Sequence, residues 1–103
     1  MQEVRKLFEP IKIGQLELKN RIVLAAMVAN FAKKDGSVTD RLVAYHANIA
    51  RGGCGLNVTE SSHVSLEGKR ITYALGVHDD KLIPGFRALT DAVHAEGGKI
   101  GIS

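Results

Sequence analysis

The stretch LKNRIVLAAM, residues 18–27, places three polar residues directly before an almost unbroken apolar run. A continuous apolar run favours a strand that is covered on both faces, and we predict such a strand over residues 22–26. This strand is the first element of a pattern in which predicted strands and helices alternate along the chain.

Turn residues and helix-capping residues predict the elements on either side of this strand. Alternating apolar and polar residues over 11–18 predict a β-hairpin, with Gly14 opening a two-residue type II′ turn. Thr39 is a good N-cap for a first helix, and a glycine pair at 52–53 ends it. A second apolar run, residues 54–58, predicts a second strand.

A longer connection over residues 63–78 leads to a second helix, which Asp79 or Asp80 can cap. Glycines at 97–98 end this helix, and a third strand begins at Ile100. The order hairpin-β-α-β-α-β predicts an α/β fold with a parallel sheet and right-handed crossovers. Two helices cover only one face of such a sheet. We therefore expect residues 1–103 to be a single partial domain, with the rest of a larger fold absent from this chain.

The bulk composition is that of a globular protein of about one small domain, with 103 residues, 45% hydrophobic and 24% charged. The net charge of +3 is spread along the chain with only two tyrosines and three phenylalanines, which argues against nucleic-acid binding. No apolar stretch reaches the roughly 18 residues of a membrane span, and the N-terminus lacks an apolar signal core. We therefore expect a cytoplasmic protein with neither a membrane nor a nucleic-acid partner.

The reactive side chains are not spaced as the ligands of a metal site or the catalytic residues of a hydrolase would be. Cys54 stands alone between glycines, which favours a small buried residue, and the four histidines are widely scattered. The run from Glu60 to His63 lacks a nucleophile elbow, and neighbouring strand residues point to opposite faces. We therefore expect no metal ligands in this chain.

Several ordered blocks resemble the Old Yellow Enzyme family of FMN-dependent ene reductases. LFEPIKIGQLELKNRIVLAAM (7–27) is similar to the family's start, RGGCGLNVTE (51–60) to its second strand, and LGVHDDKLIPGFRALTDAVHAEGGKIGI (75–102) to its second helix and third strand. The resemblance implies a (β/α)8 TIM barrel that a hairpin closes at its N-terminal end. This chain matches roughly the first third of that barrel.

The resemblance also implies which residues lie at the cofactor. In such barrels the chemistry takes place at the carboxyl ends of the strands. Four residues at the end of the first strand would run along the flavin, largely through backbone atoms: Ala25, Ala26, Met27 and Val28. Ser61 matches a small residue beside the isoalloxazine, Asn30 matches a substrate-side position, and Ser103 falls where the family usually has a flavin-contacting Gln.

Three positions depart from the family pattern. Ala26 replaces the usual Pro, and Val28 replaces a Thr or Cys that tunes the flavin potential. Ser103 is too short to replace Gln. Backbone contacts would survive the first two changes. We expect no catalytic residue in this chain, because the family's paired His/His or His/Asn substrate anchors, its Tyr proton donor and its phosphate site all match positions beyond Ser103.

The implied reaction is ping-pong, with NADH or NADPH reducing FMN, which then passes hydride to the β-carbon of an activated alkene while a Tyr protonates the α-carbon. We expect the chain to be the N-terminal part of such an enzyme and to be inactive alone. The alternative is a non-catalytic partial barrel that persists by self-association, or with a complementing barrel fragment, because its sheet edge is exposed. A third possibility is an FMN barrel with another reaction, against which the Leu-Lys-Asn-Arg block argues.

Overall fold

The computed structural model describes residues 5–103 and shows the predicted element order. A short 3-10 turn (Lys6–Phe8) precedes the first hairpin, and another (Asp80–Leu82) precedes the second helix. The strands and helices follow in the order β1 (Ile11–Ile13), β2 (Leu16–Leu18), β3 (Val23–Leu24), α1 (Asp40–Arg51), β4 (Leu56–Val58), α2 (Ile83–Ala95) and β5 (Lys99–Gly101).

The hairpin forms as the alternating sequence predicts. β1 and β2 are antiparallel, with Ile13 opposite Leu16, so two residues make the turn. Gly14 has φ +60°, while Asn30 is the one non-glycine residue of positive φ among residues 5–103. Positive φ at the first turn position alone is the type II′ arrangement, which glycine adopts without a Cβ clash.

The second sheet is parallel, with β4 between β3 and β5. Leu24 lies opposite Asn57, and Asn57 lies opposite Ile100, so the three strands run in register. Their carboxyl ends therefore meet at one edge of the sheet.

β3, the strand predicted over residues 22–26, is shorter and more exposed than predicted. Its ladder covers two residues, and Val23 keeps 49% of its surface exposed. The expectation that both faces of residues 22–26 are covered is therefore wrong for this chain. β3 pairs with β4 alone, so its other edge and part of its surface have no protein neighbour among the residues described.

Asn20 joins the end of the hairpin to the start of the parallel sheet. Its Nδ2 donates to the Gly53 carbonyl at 2.6 Å, and its Oδ1 accepts from the Ile22 N–H at 3.0 Å. The approach requires a glycine at position 55, because a Cβ there would lie 2.4 Å from Oδ1 of Asn20. Asn20 is thus buried, at 7% exposure, and both its side-chain nitrogen and its side-chain oxygen form a hydrogen bond.

A side chain caps the start of α1 and the start of the 3-10 turn that precedes α2. Oγ1 of Thr39 accepts from the Leu42 N–H at 3.1 Å, which confirms the predicted N-cap of α1. The Asp79 carboxylate accepts from the Lys81 N–H at 2.9 Å and caps the 3-10 turn that leads into α2. Proline follows in the first turn of α2, where its missing N–H costs least.

The core consists of two clusters of buried side chains, one joining α1 to two loops and the other joining α1 to α2, with Ile100 of β5 packed against the second. Their members are Ala32, Leu42 and Leu75 in one cluster, and Ala50, Leu89 and Val93 in the other. Between α1 and β4, Nδ2 of Asn57 donates to the His46 carbonyl at 2.9 Å, so this polar strand residue is also buried. Cys54 is buried and free, as the sequence suggested.

Replacing Asn20 by Asp should destabilise the chain by about 2 kcal/mol or more. The substitution places a carboxylate oxygen against the Gly53 carbonyl, where Nδ2 now donates, and buries a charge without a partner. Urea unfolding followed by circular dichroism measures the change.

Asn48→Asp is the matched control, since Asn48 is exposed on α1. Its free energy of unfolding should stay within about 0.5 kcal/mol of the parent value. Equal losses for the two variants would show that Asn20 does not join the hairpin to the sheet in solution.

Candidate functional site

The carboxyl ends of β4 and β5 are held together past the ladder. The Thr59 N–H donates to the Gly101 carbonyl at 2.9 Å, and the Ser62 N–H donates to the Ser103 carbonyl at 2.9 Å. The Ser103 N–H reaches Oγ1 of Thr59 at 3.4 Å. Ser103 is therefore fixed at the edge of the sheet through its backbone, and the residue itself is exposed.

The segment that follows β3 offers an open backbone. Met27 and Val28 are 55% and 51% exposed. None of the hydrogen bonds formed within residues 5–103 uses the backbone of residues 27–30. Asn30 has φ +63°, a left-handed conformation that asparagine tolerates better than most residues. A run of backbone donors and acceptors is thus available at the residues for which the family resemblance implies flavin contacts.

Two of the predicted site residues come together at one cavity. This cavity, which we call the strand-end cavity, has a volume of about 300 Å³ and is lined by Val28 after β3 and Ser61 after β4. The connection between β4 and α2 forms its other wall, with His63 and Arg70 among the lining residues. The remaining predicted residues lie outside this lining: Ala25, Ala26, Met27, Asn30 and Ser103.

Sequence reasoning did not assign His63 or Arg70 to the site. Both belong to the long connection that was predicted only as a loop. The available signal was position, since loops after the carboxyl ends of barrel strands supply site residues. The loop over residues 63–78 has 16 residues. Its fold in three dimensions decides which of them face the cavity, and the sequence alone does not give that fold.

His63 closes that loop by packing against His78. The two rings stack with centroids 4.9 Å apart and planes at 25°. Gly76 lies beneath them, because a Cβ there would be 2.6 Å from Nε2 of His63 and 2.8 Å from Nδ1 of His78. The backbones of His63 and Gly76 also pair in a parallel bridge, and the Val77 N–H donates to the His63 carbonyl at 2.9 Å. The histidine stack therefore fixes the wall of the cavity.

Burial sets the charge of His63. Desolvation lowers the pKa of His63 below its usual range, repulsion from His78 and Lys69 lowers it further, and the backbone of Leu75 offsets this only in part. Neither ring nitrogen finds a hydrogen-bond partner in the described part of the chain. His63 is therefore neutral at pH 7 and presents an uncharged ring to the cavity.

Glu60 is a buried acid at the end of β4. It is 2% exposed, and neither carboxylate oxygen has a partner within hydrogen-bonding geometry among residues 5–103. Burial raises the pKa of the Glu60 carboxyl, and the backbone of Leu75 offsets this only in part. Glu60 consequently keeps its proton to higher pH than an exposed glutamate does.

Residues 5–103 contain no group of three or more His, Cys, Asp or Glu side chains arranged to hold a metal ion. No helix among them has the length and apolar character needed to cross a membrane.

Comparison with known families and proteins gives consistent matches. The profile of the NADH:flavin oxidoreductase / NADH oxidase family matches residues 6–103. An NADH oxidase of Thermoanaerobacter brockii is 43% identical over 101 residues, which are 97% of this chain and 16% of that protein. An NADPH dehydrogenase of Bacillus subtilis is 41% identical over 99 residues, which are 95% of this chain and 29% of that protein.

Solved structures are similar over the same region. A 2-naphthoyl-CoA reductase in complex with 2-naphthoyl-CoA matches with a TM-score of 0.91 and 35% identity, over 95% of this chain and 15% of that one. An Old Yellow Enzyme homologue from Zymomonas mobilis matches with a TM-score of 0.86 and 34% identity, over 94% of this chain and 27% of that one. The predicted fold class is confirmed: these are the hairpin and first β/α units of a TIM barrel.

The buried histidine should make stability fall as the pH falls from about 7.5 to about 5.5. In that range an unfolded histidine, with a pKa near 6.5, takes up a proton more readily than folded His63 does, because the folded pKa is lower. His63→Gln should therefore show a smaller loss of unfolding free energy over this range than the parent chain. Urea unfolding at the two pH values measures it.

His94→Gln serves as the control, since His94 is exposed on α2. It should keep the parent pH dependence. Buried His46 and Glu60 contribute to the pH dependence of all three proteins, so they do not affect the comparison. Identical pH dependence for His63→Gln and the parent would refute the burial of a neutral His63.

Glu60→Gln should stabilise the chain at about pH 8 by on the order of 1 kcal/mol, because it removes the cost of an unpaired buried carboxylate. Since the folded pKa of Glu60 is raised above the ordinary 4.5, parent stability is lost as the pH rises above that value. The gain should accordingly shrink as the pH falls towards 4.5. Glu67→Gln, at an exposed position, should show no gain at either pH; a pH-independent effect of Glu60→Gln would contradict the assignment.

Proposed function

The chain belongs to the NADH:flavin oxidoreductase / NADH oxidase family, the Old Yellow Enzyme family that its sequence resembles, and we propose that it supplies one side of the FMN site of an NAD(P)H oxidoreductase. The observation that carries this proposal is the open backbone of residues 27–30, in which Val28 lines the same cavity as Ser61. The chain spans only 16% and 29% of the two curated relatives above, so the activity of a whole protein is part of the proposal.

The residues at this edge suit a flat aromatic cofactor. Ala25 and Ala26 are small and exposed, so a ring can approach the backbone without displacing a side chain. Unpaired backbone N–H and C=O groups past β3 can bond to polar atoms on the ring edge. We assign FMN contacts to Ala25, Ala26, Met27, Val28, Ser61 and Ser103.

The individual contacts differ in kind. Val28 offers an apolar surface and its backbone, and it has no hydroxyl to bond the flavin. Ser61 is small enough to let the ring lie close to the end of β4. Ser103 is tied down by its backbone bonds to Ser62 and Thr59, so its contribution is a short hydroxyl at the edge of the sheet.

When bound, FMN would supply hydride transfer between a nicotinamide cofactor and a second substrate. The residues of this chain would orient the ring and exclude water from one side of it. The loop wall with neutral His63 adds an uncharged surface there. Asn30, exposed at the last position of the open backbone, is our proposed substrate-side residue.

We propose NADH or NADPH as reductant and a small activated alkene as substrate, in a cytoplasmic enzyme. Support comes from the motif blocks around LKNRIVLAAM and from relatives whose names include NADH oxidase, NADPH dehydrogenase and 2-naphthoyl-CoA reductase. We assign no catalytic residue to residues 1–103, which we regard as a single partial domain of the barrel.

A second candidate is a non-catalytic partial barrel that associates with itself or with a complementing barrel fragment. The exposed apolar side chains at the two edge strands favour it, since Val23 in β3 is 49% exposed and Ile102 after β5 is 55% exposed. Edge strands with unpaired backbone groups and apolar neighbours are prone to pair with another chain.

A bulky side chain at residue 28, on the open backbone along which the flavin would lie, tests the FMN site directly. Titration of the chain with FMN, followed by flavin fluorescence, should show saturable binding. Val28→Trp should weaken it about tenfold or more, because a large ring at the end of β3 occupies space needed by the cofactor. Ile13→Trp, at an exposed hairpin position, should bind FMN as the parent does. Equal affinities of the two variants would exclude this site.

The colour and the oligomeric size of the purified chain distinguish the oxidoreductase from the self-associating partial barrel. A yellow purified chain whose flavin bleaches with NADH or NADPH would support the oxidoreductase and refute the idea that this chain is inactive alone. A colourless chain that light scattering finds larger than a monomer would support the self-associating partial barrel.

A further inference from the structure

Basic side chains gather beside the strand-end cavity. A second cavity of about 310 Å³ is lined by Lys34, Lys69 and Arg70, which we call the basic rim. Arg70 and Ile71 line both cavities, so the basic rim borders the strand-end cavity directly. The two loops that supply it follow β3 and β4, the strands whose ends form the proposed flavin site.

The basic rim is held in place by local bonds. The Lys69 ammonium donates to the Lys34 carbonyl and thereby joins the two loops. Next to it, the Gly68 N–H donates to the Ser65 hydroxyl at 3.1 Å, and the Lys69 N–H donates to the Leu66 carbonyl at 3.3 Å. These bonds order the backbone at Lys69, next to Arg70, before any ligand arrives, which lowers the entropy cost of binding.

The positive charge of the basic rim is not neutralised within the described residues. Among residues 5–103 the ion pairs are Arg21 with Glu9 and Arg51 with Glu96, and both lie elsewhere. The acidic neighbours along the same loops are Asp35 and Glu67.

Asp35 is turned to its own loop. Its carboxylate accepts from the Ser37 hydroxyl at 2.6 Å and from the Ser37 N–H at 2.9 Å, and these bonds lower the pKa of Asp35. Glu67 is exposed and pairs with none of the three basic side chains. The basic rim is therefore a cationic surface whose charges have no ion-pair partner among residues 5–103.

We propose that the basic rim binds a phosphate group of an adenosine-containing substrate, with the reactive end of that substrate in the strand-end cavity. This inference rests on the proposed function, because it takes the strand-end cavity as the place of reaction. Two sources share the chemistry: the nicotinamide dinucleotide that serves as reductant and a coenzyme A thioester that serves as substrate.

Size and charge together support this arrangement. A cavity of about 300 Å³ is at the small end of ligand sites and holds a ring or short acyl group, so a longer nucleotide must extend outside it. Arg70, at the border, can bond two phosphate oxygens with its planar guanidinium, while the lysines act as point charges. The phosphate and the reactive group then bind on the two sides of Arg70.

Calorimetric titration of the chain with three phosphate probes tests the proposal: inorganic pyrophosphate, adenosine 2′,5′-bisphosphate and adenosine 3′,5′-bisphosphate. We expect binding that weakens with added salt, and Arg70→Ala should weaken it about tenfold or more. Arg70→Lys should recover part of the loss. Lys12→Ala, which removes a charge from the hairpin, should bind as the parent does. No binding, or equal affinity for Arg70→Ala and the parent, overturns the proposal.

The two bisphosphates identify the source. Tighter binding of the 2′,5′ compound supports recognition of a phosphorylated nicotinamide dinucleotide, and tighter binding of the 3′,5′ compound supports a coenzyme A thioester. Equal affinity for both, if it still depends on Arg70, supports recognition of the phosphate alone.

Flavin titrations keep this proposal separate from the proposed function. Arg70→Ala should leave the ratio of FMN to riboflavin affinity unchanged. A fall in FMN affinity without a fall in riboflavin affinity would overturn the proposal, since the basic rim would then hold the phosphate of the flavin. If phosphates bind through Arg70 while neither flavin binds, the FMN function fails and the basic rim stands.

Discussion

The Asn20 side chain ties the hairpin to the parallel sheet, and the positions of the strand ends depend on it. One amide satisfies the Gly53 carbonyl at the end of α1 and the Ile22 N–H at the start of β3. Position 55 can carry no Cβ against it, so the chain enters β4 at a fixed distance from β3. Because both strands start from this contact and run parallel, their carboxyl ends arrive at the same edge.

That edge has polar features that a simple packed sheet would avoid. Glu60 is buried without a partner, His63 is buried neutral, and the backbone of residues 27–30 bonds to no described residue. Unpaired polar groups of this kind lower stability, and they concentrate where a protein binds ligands. They are consistent with an edge shaped for a cofactor.

The features of this edge divide between binding and recognition. Val28, Ser61 and the open backbone offer a surface for a flat ring, whereas Lys34, Lys69 and Arg70 offer charge next to it. We assign the proton donor of the proposed reaction to none of these groups. Residues 1–103 therefore contribute orientation and electrostatics to the proposed site.

Hydrophobic period, turn glycines and helix caps are local signals. They were enough to predict the element order, the Gly14 turn, the Thr39 cap and, through the motif blocks, the family. Exposure of β3 and the position of the loop between β4 and α2 are not local, because they depend on which surfaces meet. Only the tertiary structure decided three features of the site. It brings Val28 and Ser61 to one cavity, stacks His63 on His78 over Gly76, and places Arg70 between two cavities. Each feature joins residues that are distant in sequence, through contacts that no short-range pattern encodes.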